Sequence, residues 1–528
     1  MLEKYREPFH KWSFWAGLTI IAIGMPSSVF LMSIGQLILG GNWILEGRYR
    51  EKLQKFWDNK PAVIFASIFL LHVIALFYST DFAYGSRDLR TKLPIFALTF
   101  IIASSRPLDA GMKKWIAMAF CATITVVSLI SLSMYISGGF TDHRELSPFV
   151  SHIRVSLMVT LSIVLLHHFA RNQFAGHRGW KITCYAMAAW HVVYLLLLQS
   201  LTGVVVFLAV LFLAALKKVF QGSWKVRLAS VAGILLIAGL SAGTVYLAWQ
   251  ELQQDHPKDL TQLETHTTIG NTYRHDTTST LKENGHLVYL YISENELEQA
   301  WNKRSPLDYN GKDERGQELR HTLWRYMTSR GLRKDADGIT RMREKDIMAV
   351  ESGVTNVNYI RWPGVFVRIH QTLWEVQRYQ ETRNPSGHSF TMRFEFLRAT
   401  WEAIQAKPWF GWGTGDIYVA TEYGYEKTQT LLHEDYRMRA HNQYFSFVMA
   451  FGILGFVWIF FAILYPPIRL RAFGHFPFLA WFVIFMLSMI NEDTIETQAG
   501  LTFFVFFFNY FLFLKEKPGI EKELEYNL

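Results

Sequence analysis

Cysteine is nearly absent. The chain of 528 residues has two, Cys121 and Cys184, and both fall inside apolar runs, so no disulfide framework staples its polar parts. Charge is scarce as well, at 18% of residues, with 44 acids against 53 bases. No run of Lys and Arg interleaved with aromatics occurs, so the net charge of +9 is not read as a nucleic-acid footprint. The chain also lacks a solenoid-type repeat and any low-complexity tract. "GWGTG" at 411–415 lacks the Lys-Ser/Thr end of a phosphate loop, which leaves a turn of closely passing backbone as its simplest reading. No small-residue cleavage site follows the first apolar run, so that run reads as an uncleaved first helix.

What fills the chain instead is apolar. Half the residues are hydrophobic and 16% aromatic, and the mean hydropathy is positive, which is too apolar for an ordinary soluble enzyme of this length. Twelve stretches read as membrane spans: 12–27, 28–45, 62–79, 92–104, 115–137, 153–169, 181–199, 200–216, 228–249, 442–465, 474–490 and 498–514. The fourth, "KLPIFALTFIIAS", is short, and "GMPSS" joins the first pair as a tight turn on Gly24 and Pro26. Alternate loops such as "SSRPLDAGMKKW", "KKVFQGSWKVR" and "PPIRLRAFGH" are basic, as are both termini, and short basic loops stay in the cytoplasm. Both ends therefore read as inside. The exception is the external loop with Arg87, Arg90 and Lys92. The expected fold is an all-α polytopic membrane protein of about 12 transmembrane helices, with one large periplasmic loop domain between helices 9 and 10.

Three regions follow: spans 1–9 over 1–249, the external loop over 250–441, and spans 10–12 with a cytoplasmic tail over 442–528. The loop is a folded domain, since aromatics run throughout it. Its first part reads as a strand-like "HLVYLYI" and helices around Leu297 to Trp301 and Leu319 to Met327. Its second reads as two helices followed by a Gly-rich turn. From about Phe390, 100° steps place Phe394, Phe396, Leu397, Thr400, Trp401 and Ile404 on one arc, opposite Glu395, Arg398, Glu402 and Gln405. Arg393 falls within the apolar arc, where a charge needs an anionic partner. Arg398 reads as part of a solvated ion-pair face.

This topology brings other polar residues to the outer face. Arg154 opens the sixth span and His441 the tenth, while Glu492, Asp493 and Glu496 lie in the turn between the last two. Charges at membrane depth are functional candidates, with snorkelling at the interface as the plain alternative. The acidic turn is either solvated or orients a histidine by accepting its second N–H. Asp335 and Asp337 in "KDADG" have the spacing of metal-dependent glycosyltransferases, although the rest of a calcium-loop pattern is missing.

"RFEFLRATWEAIQAKPWFGWGTGD" resembles the segment of the O-antigen ligase and O-antigen polymerase superfamily in which an arginine is followed, fifteen residues on, by Pro-x-x-Gly-x-Gly; here these are Arg393 and Pro408. "HNQYFSFVMAFGILG" resembles the family's His-Asn motif entering the next helix, and "NEDTIETQAGLTFF" its segment before the final helix. The likeness is good over about 385–510. Residues 256–385 look like an insertion of the Bacteroidetes type with an enlarged periplasmic loop, ahead of a ligase-like motif region at 386–441. The resemblance implies a glycosyltransferase of the bacterial inner membrane, facing the periplasm, needing no metal or other cofactor. Its donor would be an undecaprenyl diphosphate-linked glycan and its acceptor lipid A-core, among membrane lipids and with no nucleic acid.

Carried over by residue, the likeness makes Arg393, His441 and Arg154 catalytic. Arginines would stabilise the leaving diphosphate and His441 would serve as general base, with inversion at the anomeric carbon. Arg87, Arg90, Lys92, Asn442, Glu492, Asp493 and Glu496 join them as substrate-binding candidates, although capping of the tenth helix also explains Asn442. An O-antigen polymerase or a protein O-oligosaccharyltransferase would share the donor site. A twelve-helix transporter fits less well, since such carriers join two similar halves by a cytoplasmic linker.

Overall fold

In a computed structural model, residues 2–137, 143–256 and 259–514 are described; the expected cytoplasmic tail beyond 514 lies outside them. Helices follow the apolar runs in order: α1 (Leu2–Ser27), α2 (Val29–Glu46), α3 (Tyr49–Asp58), α4 (Lys60–Leu76), α5 (Phe82–Ser104), α6 (Ala110–Ser137), α7 (His152–His168), α8 (Arg178–Leu197), α9 (Leu201–Gln221) and α10 (Trp224–Leu252). Shorter helices come next: α11 (Glu294–Trp301), α12 (Leu319–Ser329), α13 (Ala336–Thr340), α14 (Glu344–Glu351), α15 (Asn358–Arg361), α16 (Gly364–Thr382), α17 (Met392–Ala406) and α18 (Ile417–Thr428). The chain then returns to α19 (Gln443–Arg469), α20 (Phe476–Asn491) and α21 (Gln498–Leu512).

Each of the twelve apolar stretches centres on a helix. By length and composition, seven helices among the described residues qualify to cross a membrane, or eight if α3 and α4, bent by 93°, count as one span. α20 and α21 are shorter apolar helices. The first pair turns at Ser28 rather than at Gly24 and Pro26: α1 runs through Pro26, and the Ser28 hydroxyl caps α2 by accepting the Leu31 N–H at 3.3 Å.

The described residues divide into two compact units, one taking in 2–137, 146–214 and 382–514, the other 143–145, 215–256 and 259–381. In the first, α21 is buried on every side from Ala499 to Tyr510, as a helix apolar all round must be. Its Phe504 and Phe508 stack on Phe485 and Phe65, with ring centroids 3.8 Å apart in both pairs. His191, buried inside the bundle, meets Thr125 at 2.9 Å and Ser162 at 3.1 Å.

The junction of the Gly-rich turn with α19 depends on glycine. α19 breaks at Gly452, at φ 63° and ψ −174°, and the turn takes up the freed backbone bonds. Ile453 N donates to Pro408 O at 2.8 Å, Trp412 N to Met449 O at 2.9 Å, and Gly413 N to Ala450 O at 2.8 Å. A Cβ on Gly452 would lie 2.2 Å from the Trp409 carbonyl carbon. Gly452→Ala is therefore expected to cost about 2–4 kcal/mol, from overpacking plus a left-handed alanine; the check is earlier unfolding of purified protein in an SDS titration.

In the second unit the expected strand shrinks. Lys282–Glu283 and His286–Leu287 form a two-stranded ladder, the chain turns from Val288, and Ile292 makes isolated bridges to Arg274 and Lys334. The helices expected near Leu297 and Leu319 are α11 and α12, and Trp301, Tyr309, Leu323 and Tyr326 form their core. The aspartates of "KDADG" serve the fold. Asp335 accepts the Tyr273 hydroxyl and, at 2.7 Å, the Gly338 N–H; Asp337 pairs with Arg341 at 2.7 Å.

Candidate active site

α17 presents a different face to the core than the apolar arc suggested. Glu395, Phe396, Ala399, Thr400, Ala403 and Ile404 are buried, whereas Phe394 and Trp401 are exposed. A wheel ranks hydrophobicity alone and does not see the polar partner that lets a carboxylate be buried. Glu395 is buried because Thr430 donates to it at 2.7 Å. Arg398 stays at the surface, 3.9 Å from Glu395. Arg393, in the first turn, donates from Nη1 to Ser389 O at 2.5 Å and holds Nη2 3.8 Å from Glu492 Oε1. That second contact is an ion pair too long for a hydrogen bond.

His441 stands one residue before the cap of α19, with φ 46°, a left-handed conformation that costs a non-glycine residue about 1 kcal/mol or more. The residues around it hold it there. Its backbone N–H donates to Asp493 Oδ2 at 3.2 Å, and Ser446 donates to Asp493 Oδ1 at 2.7 Å. Asn442 caps α19 by accepting the Phe445 N–H at 3.2 Å and donates to Ile490 O at 2.9 Å, which explains its presence without a substrate. Of the two readings of the acidic turn, solvated or holding the second N–H of a histidine ring, the structure shows neither at Asp493, which holds the His441 backbone. Nδ1 is buried with no hydrogen-bond partner among the described residues, and the ring lies 5.6 Å from that of Phe396.

Arg154, in the first turn of α7, completes this group. Its Nε is buried without a hydrogen-bond partner among the described residues, and the charges of Glu492 and Asp493 reach it. Burial lowers the His441 pKa below its ordinary 6.5; Asp493 and Glu492 oppose that shift, while Arg393 and Arg439 add to it. The imidazole is therefore neutral near pH 7.

A second charge cluster lies behind the first. Glu496 accepts from Lys92 Nζ at 2.7 Å and Gln443 Nε2 at 2.8 Å, and pairs with Arg439 Nη2 at 3.1 Å. Lys92, fully buried, also donates to Ile495 O at 2.9 Å and lies 3.5 Å from Asp88. Burial works against the ionised Glu496, but Lys92 and Arg439 outweigh it and hold the carboxyl well below the usual range. Lys92 and Glu496, both expected as substrate-binding residues, thus pair with each other. Arg87 and Arg90 are not drawn in. They are exposed, because 100° steps along α5 put Asp88 and Lys92 on one face and these two arginines on the other.

Arg439, Gln443 and Asp88 escaped the sequence reading. The i, i+4 spacing of Asp88 and Lys92 was the available signal for one; for the other two it was only that they flank His441. Among the described residues, no group of three or more His, Cys, Asp or Glu is placed to hold a metal ion.

The chemistry assembled here is a neutral histidine beside two arginines and two carboxylates, contributed by α7, α17, the approach to α19 and the α20–α21 turn. No curated protein matches the chain. Residues 352–460, which contain Arg393, the glycine turn and His441, match the family model described as O-Antigen ligase, and over this segment the chain is O-antigen ligase-like.

Proposed function

We propose that the protein transfers a glycan from undecaprenyl diphosphate to a lipid A-core acceptor at the periplasmic face of the inner membrane, with inversion and without a metal. On this reading 250–441 is the periplasmic segment, between nine helices and a final three. His441 takes the proton of the acceptor hydroxyl as that oxygen attacks the anomeric carbon, and the departing C–O electron pair passes to the lipid diphosphate. Arg393 and Arg154 meet the charge that grows there; a guanidinium about 4 Å from a phosphate oxygen contributes roughly 4 kcal/mol at an effective dielectric near 20. The observation that carries the reading is the neutral His441 in one group with Arg393, whose guanidinium lies 3.8 Å from Glu492.

The test is transfer by purified protein from a lipid-linked donor to lipid A-core in EDTA. Activity that vanishes in EDTA and returns with manganese would overturn the arginine mechanism. Transfer only to a second lipid-linked repeat would instead make it a polymerase, and transfer only to protein an O-oligosaccharyltransferase. Arg393→Lys keeps the charge but loses the two-pronged geometry. It is expected to raise the donor KM about tenfold, equivalent to one charge-assisted hydrogen bond, and an unchanged KM would take Arg393 away from the diphosphate.

A further inference from the structure

We propose that the cavity in the 215–381 unit is a binding site for a neutral oligosaccharide. The assignment deepens the transferase reading and rests on it for the expectation that a glycan is present. The cavity measures about 370 Å³, within the usual range for small-ligand sites. Its walls come from the loop Thr277–Thr280, the hairpin tip at Asn284, Asn356, and the face of α16 that carries His370 and Trp374.

Charge decides the ligand class. Most ionised side chains of the lining are paired within the unit, Lys282 with Asp255 at 2.8 Å, Glu283 with Arg325 at 2.7 Å and Arg378 with Glu381 at 2.7 Å, while Glu251 accepts from Gln254 Nε2 at 2.6 Å. An anionic ligand would find its cations already committed, and an apolar one would strand polar groups. What the walls offer is amide, hydroxyl and imidazole, which both donate and accept, as sugar hydroxyls do. Trp374, over whose ring the Arg325 guanidinium lies at 4.4 Å, adds an aromatic side chain to the wall.

The polar groups are also held in place. Asn356 is fully buried, and its Nδ2 donates to Glu283 at 2.8 Å and to Asn284 Oδ1 at 2.9 Å. Asp276 fixes the loop by accepting the Thr278 N–H at 2.9 Å. His370 is 3% exposed and meets the Tyr359 hydroxyl through Nδ1 at 3.1 Å, which leaves Nε2 for a ligand. Burial lowers its pKa to about 4, so near pH 7 that imidazole is neutral. Preorganised groups of this kind lower the entropic cost of binding. A peptide fits less well, because the hairpin has two residues per strand and offers little edge for strand addition.

The experiment uses detergent-purified full-length protein on an array of lipid-free bacterial surface oligosaccharides beside an array of peptides. Affinity for the best-bound oligosaccharide is then measured by tryptophan fluorescence. Saturable oligosaccharide binding is expected. It should weaken at least about tenfold in His370→Ala, the equivalent of about one lost hydrogen bond. Thr277→Trp, which fills the cavity from an exposed loop position without removing a core contact, should weaken it similarly, and His441→Ala should bind as the parent does. Absence of oligosaccharide binding, undiminished binding in both cavity variants, or preference for peptides would overturn the assignment. Binding without any transfer from a lipid-linked donor would count for the cavity and against the transferase reading, which keeps the two failures distinct.

Discussion

His441→Ala is expected to slow glycan transfer by roughly 10²–10⁴-fold, the usual contribution of a general base, in protein that still inserts and purifies normally. The acceptor hydroxyl must lose its proton near neutral pH, and a base serves there only if it is itself unprotonated. Burial, aided by Arg393 and Arg439, keeps the His441 pKa below 6.5 against the opposing carboxylates. Protonation removes the base, so the rate falls as pH drops through that lowered pKa and is level above it. The parent should therefore show an acid limb below pH 6.5, and the residual rate of the variant should lack it. A complication comes from the backbone, since alanine at φ 46° is strained. His441→Gly carries no such strain and separates the two effects: a glycine variant as inactive as the alanine one implicates the imidazole. Recovery in the glycine variant would instead assign the loss to backbone distortion.

How much of this was legible in the sequence depended on whether one chain segment or several were needed. The apolar stretches were readable because each needs only its own composition, and every one centres on a helix. The motif residues were readable one at a time, as an arginine within an apolar arc and a histidine at a helix entrance. Their partners were not. Arg439 and Gln443 matter because they reach Glu496, more than fifty residues on, and no local pattern encodes that pairing. Lys92 looked like part of a basic external rim together with Arg87 and Arg90, yet the helical twist sends it alone into an ion cluster. The face of α17 was misread for a different reason. Glu395 is buried because Thr430, 35 residues on, donates to it, a partner that no helical wheel supplies, while Phe394 and Trp401 are exposed.

Glu496→Ala is expected to destabilise the protein by about 3–5 kcal/mol, the cost of stripping a buried charge of its partner. Lys92 is fully buried and its ammonium has Glu496 at 2.7 Å, the Ile495 carbonyl at 2.9 Å and Asp88 at 3.5 Å; without Glu496 only the two weaker contacts remain. SDS-titration midpoints would read the loss. The double variant Lys92→Met/Glu496→Ala should recover the Lys92 part of it but not all, because Arg439, the other partner of Glu496 at 3.1 Å, still loses its carboxylate. The pH dependence has a fixed sign. The native Glu496 carboxyl lies below its ordinary 4.5, so its contribution is complete above that pH and is lost as pH falls toward the native pKa; the alanine variant should lack this acid-dependent part. Activity should fall along with stability for a geometric reason. Arg439 and Gln443 flank His441 and share Glu496, so losing that carboxylate releases both sides of a left-handed histidine. A variant with parental stability and parental transfer would mean that the His441 backbone is held by Asp493 and the Asn442 cap alone.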